Sequence, residues 1–132
     1  MNNEICNEVF SEVFMDHFYN PRNTEYIDDV DGEGGAGDIY CGDYLIIGIK
    51  VNENKIEDIY FKVYGCSAAI ATSSMTTELA KGKTLEEAMK ITENDVTDAL
   101  GGLTEEKLHC SLLGPAALKK AIQDYYKKSK NL

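Results

Sequence analysis

The sequence contains few basic residues and no long apolar run. Its 132 residues include 13 lysines and arginines against 23 aspartates and glutamates, which gives a formal net charge of −10 at pH 7. This acidity argues against nucleic acid as a partner, because phosphate binding requires a basic surface. It favours cationic metals or basic partner surfaces instead. No apolar run reaches the roughly 20 residues that a membrane-spanning helix requires.

The first residues lack the features of a targeting segment. Met1–Glu4 carry neither the basic and apolar regions of a secretory signal nor the Arg-rich composition of a transit peptide. We therefore expect a cytoplasmic protein. The chain length and the 43% hydrophobic content predict a single domain over residues 1–132. In a reducing cytosol, the four cysteines are expected to be thiols or metal ligands rather than disulfides.

Three of the cysteines lie beside other possible metal donors or glycine. Cys41 lies two residues before Asp43, Cys66 follows a glycine, and Cys110 directly follows His109. Thiolates are the usual ligands of iron–sulfur clusters and of tetrahedral zinc. The wide separation of these cysteines along the chain excludes a CxxC finger. Five donors for roughly four coordination positions indicate a site that exchanges its contents.

The local context of each donor suggests its role. Cys66 is expected at the start of a helix, where free amides and the helix dipole stabilise a thiolate; the alternative is an inert buried cysteine. The hard carboxylate of Asp43 suits a cluster less well than a thiolate does, and otherwise it forms a turn or a surface charge. His109 either binds metal or orients Cys110. Cys6 is expected to lie outside the site.

Apolar spacing and turn residues predict strands in the first half of the chain. Helical spacing predicts a helix over Ile5–Phe18. The stretch Tyr26–Asp38 is rich in glycine and aspartate, and we predict a mobile loop with a short strand at Tyr26–Val30. Tyr44–Val51 and Ile56–Tyr64 are β-rich and predict an antiparallel hairpin.

Helices are predicted in the second half. The first is Ser67–Lys81, followed by a helix capped by Thr84 with a glutamate three residues later. A short helix should begin at a cap on Asn94 and end near Leu100, and a turn capped by Thr104 should lead towards His109. The final helix is predicted over Pro115–Lys128. Strands before helices indicate the α+β class, a compact sandwich in which helices cover a small antiparallel β-sheet of about three strands.

Six motifs occur in order along nearly the whole chain. They are His17–Asn23, Cys41–Asp43, Phe61–Gly82, Lys83–Ala88, Ala99–Leu103 and His109–Ser111. Together they resemble the IscU/NifU family of iron–sulfur cluster assembly scaffolds, in the form of the NifU N-terminal domain. The resemblance runs from about Val13 to about Tyr125. The ordered set is far more specific than any single motif.

The resemblance implies a scaffold that assembles a transient 2Fe-2S cluster from iron and sulfur and transfers it to apo-proteins. This is a binding and transfer role rather than that of a turnover enzyme. The three cysteines should gather at one exposed end, and the aspartate should make the cluster labile. The implied ligands of the cluster or its iron are Cys41, Asp43, Cys66, His109 and Cys110. Whether Asp43 or His109 provides the fourth ligand stays open.

The resemblance also implies partners. Sulfur should arrive as a persulfide from a cysteine desulfurase, and we expect Cys110 to accept it first, since thiolate exchange requires an exposed, activated cysteine. Apo iron–sulfur proteins should accept the cluster, and an iron donor can supply the metal. A dedicated chaperone binds a Leu-Pro-Pro-Val-Lys segment in many IscU-type members. Here Leu103–Lys107 lacks both prolines, so we do not expect that partner.

Two other functions use the same residues. A zinc-bound sulfur carrier would need the same thiolates, and zinc is expected to bind the cluster-free site. However, the stretch between Cys66 and Cys110 lacks the insertion of zinc-dependent SufU relatives, which favours the scaffold. A hydrolase would pair Cys110 with His109, but adjacent residues rarely present a base to a nucleophile correctly.

Overall fold

The fold is a three-stranded antiparallel sheet with helices packed against one face. The computed structural model describes residues 11–38, 42–103 and 105–130, without the side chains of residues 38, 105–107, 109 and 130. The described helices are α1 (Glu12–Tyr19), α2 (Ser67–Ala80), α3 (Leu85–Met89), α4 (Glu93–Ala99), a 3₁₀ segment (Glu105–Leu112) and α5 (Leu113–Lys130). The strands are β1 (Gly32–Asp38), β2 (Asp43–Asn52) and β3 (Lys55–Tyr64), in sheet order β1-β2-β3. The predicted α+β class is confirmed.

The predicted hairpin forms the centre of the sheet. In its antiparallel register Ile47 pairs with Phe61 and Ile49 pairs with Ile59, and all four side chains are buried. Because successive side chains of a strand point to opposite faces, these residues line the face that α2 and α5 cover. The other face exposes residues such as Tyr44, whose side chain is 46% accessible.

The predicted loop over Tyr26–Asp38 was wrong from Gly32 onwards, because Gly32–Asp38 forms strand β1, whereas residues 26–31 form neither helix nor strand. The predicted short strand at Tyr26–Val30 is also absent, and β1 begins later, at Gly32. Glycine disfavours strands by propensity, but here close packing requires it. A Cβ at Gly34 would collide with the backbone of α5, and a Cβ at Gly35 would lie 2.6 Å from Tyr44 Oη. Tertiary contacts on both faces therefore override the local preference.

The N-terminal helix begins at a cap that the sequence analysis missed. Ser11 is extended, with ψ at 168°, and its hydroxyl accepts a hydrogen bond from the Phe14 N–H at 3.0 Å. The same hydroxyl donates to the Leu100 carbonyl, which fixes α1 to the end of α4. A continuous helix over Ile5–Phe18 was therefore wrong at Ser11, and residues 5–10 lie outside the described residues.

Reciprocal caps start the two short helices. The predicted cap at Thr84 is confirmed, with the Glu87 side chain accepting from the Thr84 N–H in return. For α4 the prediction of Asn94 was wrong, because Thr92 is the cap. Thr92 and Asp95 satisfy each other's backbone N–H groups, and this pair fixes the helix start two residues earlier.

The last helix starts two residues before its predicted first residue. It begins at Leu113, because the 3₁₀ segment continues directly into it. Pro115 instead lies within the first turn, where its missing N–H would have no helical partner. Thr104, the predicted cap of the preceding turn, lies outside the described residues. No helix in the described part of the chain is both long and apolar enough to cross a membrane.

Candidate metal-cluster site

Three predicted donors come from three different parts of the fold. Asp43 is the first residue of β2, Cys66 is the N-cap of α2 directly after β3, and Cys110 lies in the 3₁₀ segment. Asp43 and Cys66 lie at the ends of regular elements, whereas Cys110 lies within the 3₁₀ segment. Short connections between elements at one tip of the domain therefore bring distant parts of the chain together.

The donor atoms of these three residues form one cluster. Cys66 Sγ and Cys110 Sγ are 3.7 Å apart, and Cys110 Sγ is 3.8 Å from Asp43 Oδ2. All three donor atoms lie within 4.8 Å of one another. The two sulfurs are not bonded, since a disulfide bond measures about 2.05 Å. This is the only group of three or more histidine, cysteine or acidic donors that the described residues bring together.

The site is more buried than the sequence analysis expected. The Cys110 residue has no exposed surface, Asp43 is 6% exposed, and Cys66 is partly exposed. The expectation of an exposed thiol at position 110 is therefore corrected. The 3₁₀ segment packs against α2, α4 and α5, and this contact covers Cys110. Cys66 is the more accessible of these two sulfur donors.

Gly65 makes room for the carboxylate. A Cβ at this position would lie 2.6 Å from Asp43 Oδ1 and 2.9 Å from the Ala69 Cβ, which is closer than side chains pack. Gly65 therefore leaves space beside Cys66 for the Asp43 side chain.

Thr72 fixes the backbone at Cys110. Its hydroxyl is buried in α2, 2.7 Å from the Ala68 carbonyl and 3.2 Å from the Cys110 carbonyl. The Ala69 carbonyl also lies within 3.3 Å. A hydroxyl can donate only one proton at a time, so the three carbonyls share it. The sequence analysis missed Thr72. Nothing in the sequence identifies the partner of this hydroxyl.

Two of the five predicted ligands cannot be placed. Cys41 lies outside the described residues, and so does the side chain of His109. Their roles as ligands remain predictions. Cys6, which was expected to lie outside the site, is also among the residues that the structure does not describe.

His17, from the first motif, connects α1 to α2. Its ring is buried, and Nδ1 lies 2.7 Å from Ser74 Oγ of α2. The same serine oxygen accepts a hydrogen bond from the Arg22 N–H at 2.9 Å. Burial, and then the nearby Arg22 charge, lower the pKa of His17. The residue therefore joins α1 and the following turn to α2.

The chemistry of the described donors suits a transition metal with sulfur ligands. Two thiols are the preferred partners of iron–sulfur clusters and of zinc, while one carboxylate adds a harder and weaker ligand. The partly exposed Cys66 gives access to the site, whereas buried Asp43 and Cys110 line its inner side. Such a site can bind a metal group without enclosing it fully in thiolates.

Comparison with known proteins identifies the family. The family model of the "NifU-like N terminal domain" matches residues 9–132. The chain belongs to this NifU N-terminal domain family. One relative of this domain is the "Iron-sulfur cluster assembly scaffold protein IscU 1" of Archaeoglobus fulgidus, 56% identical over 121 residues, which are 92% of this chain and 79% of the relative. Another is the "Iron-sulfur cluster assembly scaffold protein IscU" of Escherichia coli (strain K12), 47% identical over 124 residues, which are 91% of this chain and 96% of the relative.

A solved structure agrees with the fold of this NifU N-terminal domain. The N-terminal part of a NifU-like protein from Brucella abortus superposes with a TM-score of 0.70, over 89% of this chain and 94% of that one. Its sequence identity is only 15%. At this distance the likeness shows the shared fold alone, and it supports the three-stranded sheet with its covering helices.

Proposed function

We propose that this chain is a scaffold on which iron and persulfide sulfur are assembled into a transient 2Fe-2S cluster, which then passes to apo-proteins. One observation carries the proposal: the carboxylate of Asp43 and the thiols of Cys66 and Cys110 converge within 4.8 Å. Relatives about half identical to this chain are named iron–sulfur cluster assembly scaffolds. The cluster is cargo in this proposal, and the chain binds and transfers it rather than turning over a substrate.

The full ligand set in this proposal adds two residues to the described three. Cys41 is two residues from Asp43 in the sequence. His109 is bonded directly to Cys110. We propose that Cys41, Cys66 and Cys110 hold the cluster by sulfur, and that Asp43 or His109 provides the fourth ligand.

Asp43 has the properties of a ligand that lets the cluster leave. A carboxylate is a poorer partner for cluster iron than a thiolate. Its oxygen already lies 3.8 Å from Cys110 Sγ, so it can reach a metal held by that sulfur. Four thiolates would retain the cargo more strongly. A site with Asp43 in place of the fourth thiolate is therefore suited to transfer.

We propose that Cys110 accepts sulfur from a cysteine desulfurase. Cys110 is buried where the 3₁₀ segment packs against the helices. The persulfide of the donor must therefore enter the site to reach this sulfur, because Cys110 does not lie on an open surface. An iron donor and apo iron–sulfur acceptors are the other proposed partners, and the net charge of −10 suits basic docking surfaces. The chaperone that binds Leu-Pro-Pro-Val-Lys is not among the proposed partners.

Anaerobic reconstitution tests the scaffold function. Metal-free protein is incubated with ferrous iron, cysteine and a cysteine desulfurase, and the cluster is followed by visible absorption and Mössbauer spectroscopy before apo-ferredoxin is added. We expect a 2Fe-2S signal that moves to the ferredoxin and that fails to form when Cys41, Cys66 or Cys110 is changed to serine. Cys6→Ser is the matched control and should assemble a normal cluster.

Zinc provides the contrasting outcome. The same donors suit tetrahedral zinc, so zinc in the purified protein is compatible with the scaffold and must be removed first. If the metal-free protein forms no cluster but binds zinc and passes sulfur through Cys110, the scaffold proposal fails and a sulfur carrier replaces it.

A further inference from the structure

The two described thiols of the site lie close enough to react with each other. Cys66 Sγ and Cys110 Sγ are separated by 3.7 Å, near the roughly 3–3.5 Å at which oriented groups begin to react. Building a cluster from a persulfide requires more than sulfur delivery. The sulfane sulfur must also gain two electrons to become sulfide. A neighbouring thiol can supply these electrons before any metal is bound.

We propose that Cys66 reduces a persulfide on Cys110 and so releases sulfide inside the site. The Cys66 thiolate attacks the inner sulfur of the Cys110 persulfide. A Cys66–Cys110 disulfide bond forms, the bond between the inner and outer sulfurs breaks, and the outer sulfur leaves with the electron pair as hydrosulfide. Two cysteine sulfurs are oxidised to the disulfide, and the sulfane sulfur is reduced to sulfide. This inference rests on the proposed function, since it assumes that persulfide sulfur reaches Cys110.

The surroundings of the two sulfurs set the direction of the reaction. Cys66 is the N-cap of α2, and its side chain makes no capping hydrogen bond. Free amides at the start of a helix favour negative charge there. The Asp43 carboxylate lies 3.8 Å from Cys110 Sγ and within 4.8 Å of Cys66 Sγ, so it repels negative charge at both sulfurs, and at Cys66 the free amides of the helix start offset this repulsion. Cys66 is therefore the nucleophile and Cys110 the residue attacked.

Attack on the outer sulfur would have a different result. It would move the sulfane sulfur from Cys110 to Cys66 without oxidising either cysteine, and no sulfide would appear. The product of attack on the inner sulfur is a disulfide that removes two proposed ligands. One sulfide is therefore released per chain, and an external dithiol must reduce the disulfide by thiol–disulfide exchange before the site can act again.

The experiment measures sulfide release without metal. Reduced, metal-free full chain is treated anaerobically with inorganic polysulfide, freed of the excess by gel filtration, and left without added thiol. We expect free sulfide to accumulate while peptide mapping by mass spectrometry finds Cys66 joined to Cys110. In Cys66→Ser, release should fall by at least about tenfold, because an oriented neighbouring thiol greatly outcompetes one from solution. Cys6→Ser is the matched control, since Cys6 is not among the proposed ligands, and it should release sulfide as the wild type does.

Three results would overturn the inference. These are normal sulfide release from Cys66→Ser, a disulfide that joins Cys110 to another cysteine, and transfer of the sulfane sulfur to Cys66 without release. Peptide mapping of the wild-type chain requires no variant, so it decides the question even if Cys66→Ser folds poorly. Reconstitution with ferrous iron and inorganic sulfide tests the scaffold separately, since it bypasses sulfide release. A cluster formed there, without sulfide release from the persulfide, would reject this inference and leave the scaffold intact.

Discussion

The carboxylate of Asp43 lies in the space that a side chain at position 65 would need. A Cβ on Gly65 would come within 2.6 Å of Asp43 Oδ1 and within 2.9 Å of the Ala69 Cβ. The absence of a side chain at Gly65 therefore allows Asp43 to face the sulfur of Cys110. The geometry of this donor pair depends on a residue that contributes no donor itself.

Gly65→Ala should destabilise the protein by about 1–3 kcal/mol, because the added methyl group must displace Asp43 or Ala69. Urea unfolding measures this cost. In an Asp43→Ala background the same substitution should cost less, since the carboxylate is gone. Equal costs in the two backgrounds would show that Asp43 does not occupy this space.

Asp43→Ala should slow transfer of the cluster to apo-ferredoxin. Without the weak carboxylate ligand, the proposed thiolate ligands bind the cluster and release it less readily. Transfer is followed by the change in visible absorption after mixing. Glu57→Ala is the control, since it removes the same charge from an exposed position of β3. Equal transfer rates for Asp43→Ala and the wild type would refute the proposed role.

Acidification should weaken the attachment of α1 through His17. Burial and the charge of Arg22 lower the pKa of His17 below its ordinary value of 6.5. The unfolded chain therefore binds more protons than the folded chain between these two values. The contribution of His17 to the unfolding free energy is fully present above the ordinary value and is lost as pH falls towards the lowered one.

Urea unfolding between about pH 7.5 and about pH 5 measures this loss. The wild type should lose more unfolding free energy across this range than His17→Gln, which does not titrate there. The comparison also cancels the contribution of the other histidine in the chain. Parallel pH profiles for the two proteins would contradict the prediction.

Thr72→Val should cost about 1 kcal/mol, because the shared hydrogen bond to the Ala68 and Cys110 carbonyls is lost while the side-chain shape is kept. Urea unfolding measures the stability, and hydrogen exchange of the 3₁₀ segment should increase. Thr72→Ser keeps the hydroxyl and should protect the segment better than valine. Identical exchange in the valine variant and the wild type would show that Thr72 does not hold this backbone.

Local sequence signals predicted the elements that local interactions stabilise. Thr84 caps its helix through a partner three residues away, and the alternating residues of β2 and β3 form one hairpin. Both patterns lie within short stretches of chain. The glycine strand β1 could not be predicted in this way, because its reason for being a strand lies in α5, near the other end of the chain.

The site could be predicted in part. Its donors Asp43, Cys66 and Cys110 were identified from their neighbours and from the ordered motifs, and they do converge. The burial of Cys110 was not predicted, because it arises where the 3₁₀ segment packs on α2. The hydroxyl of Thr72 was missed for the same reason, since its partner is distant in sequence. Contacts between remote segments decide both features.

The glycine-rich composition of strand β1 also has a consequence for the order of folding. With glycines in place of most side chains, it has little apolar surface with which to collapse early. Its Gly34 packs against the backbone of α5, and the Glu33 N–H donates to the Asp124 carboxylate of that helix at 2.9 Å. These contacts close a loop of most of the chain. Closing such a long loop costs conformational entropy before the contacts between its ends can stabilise it. We therefore expect the strand that leads to Cys41 to form late, after the last helix has docked.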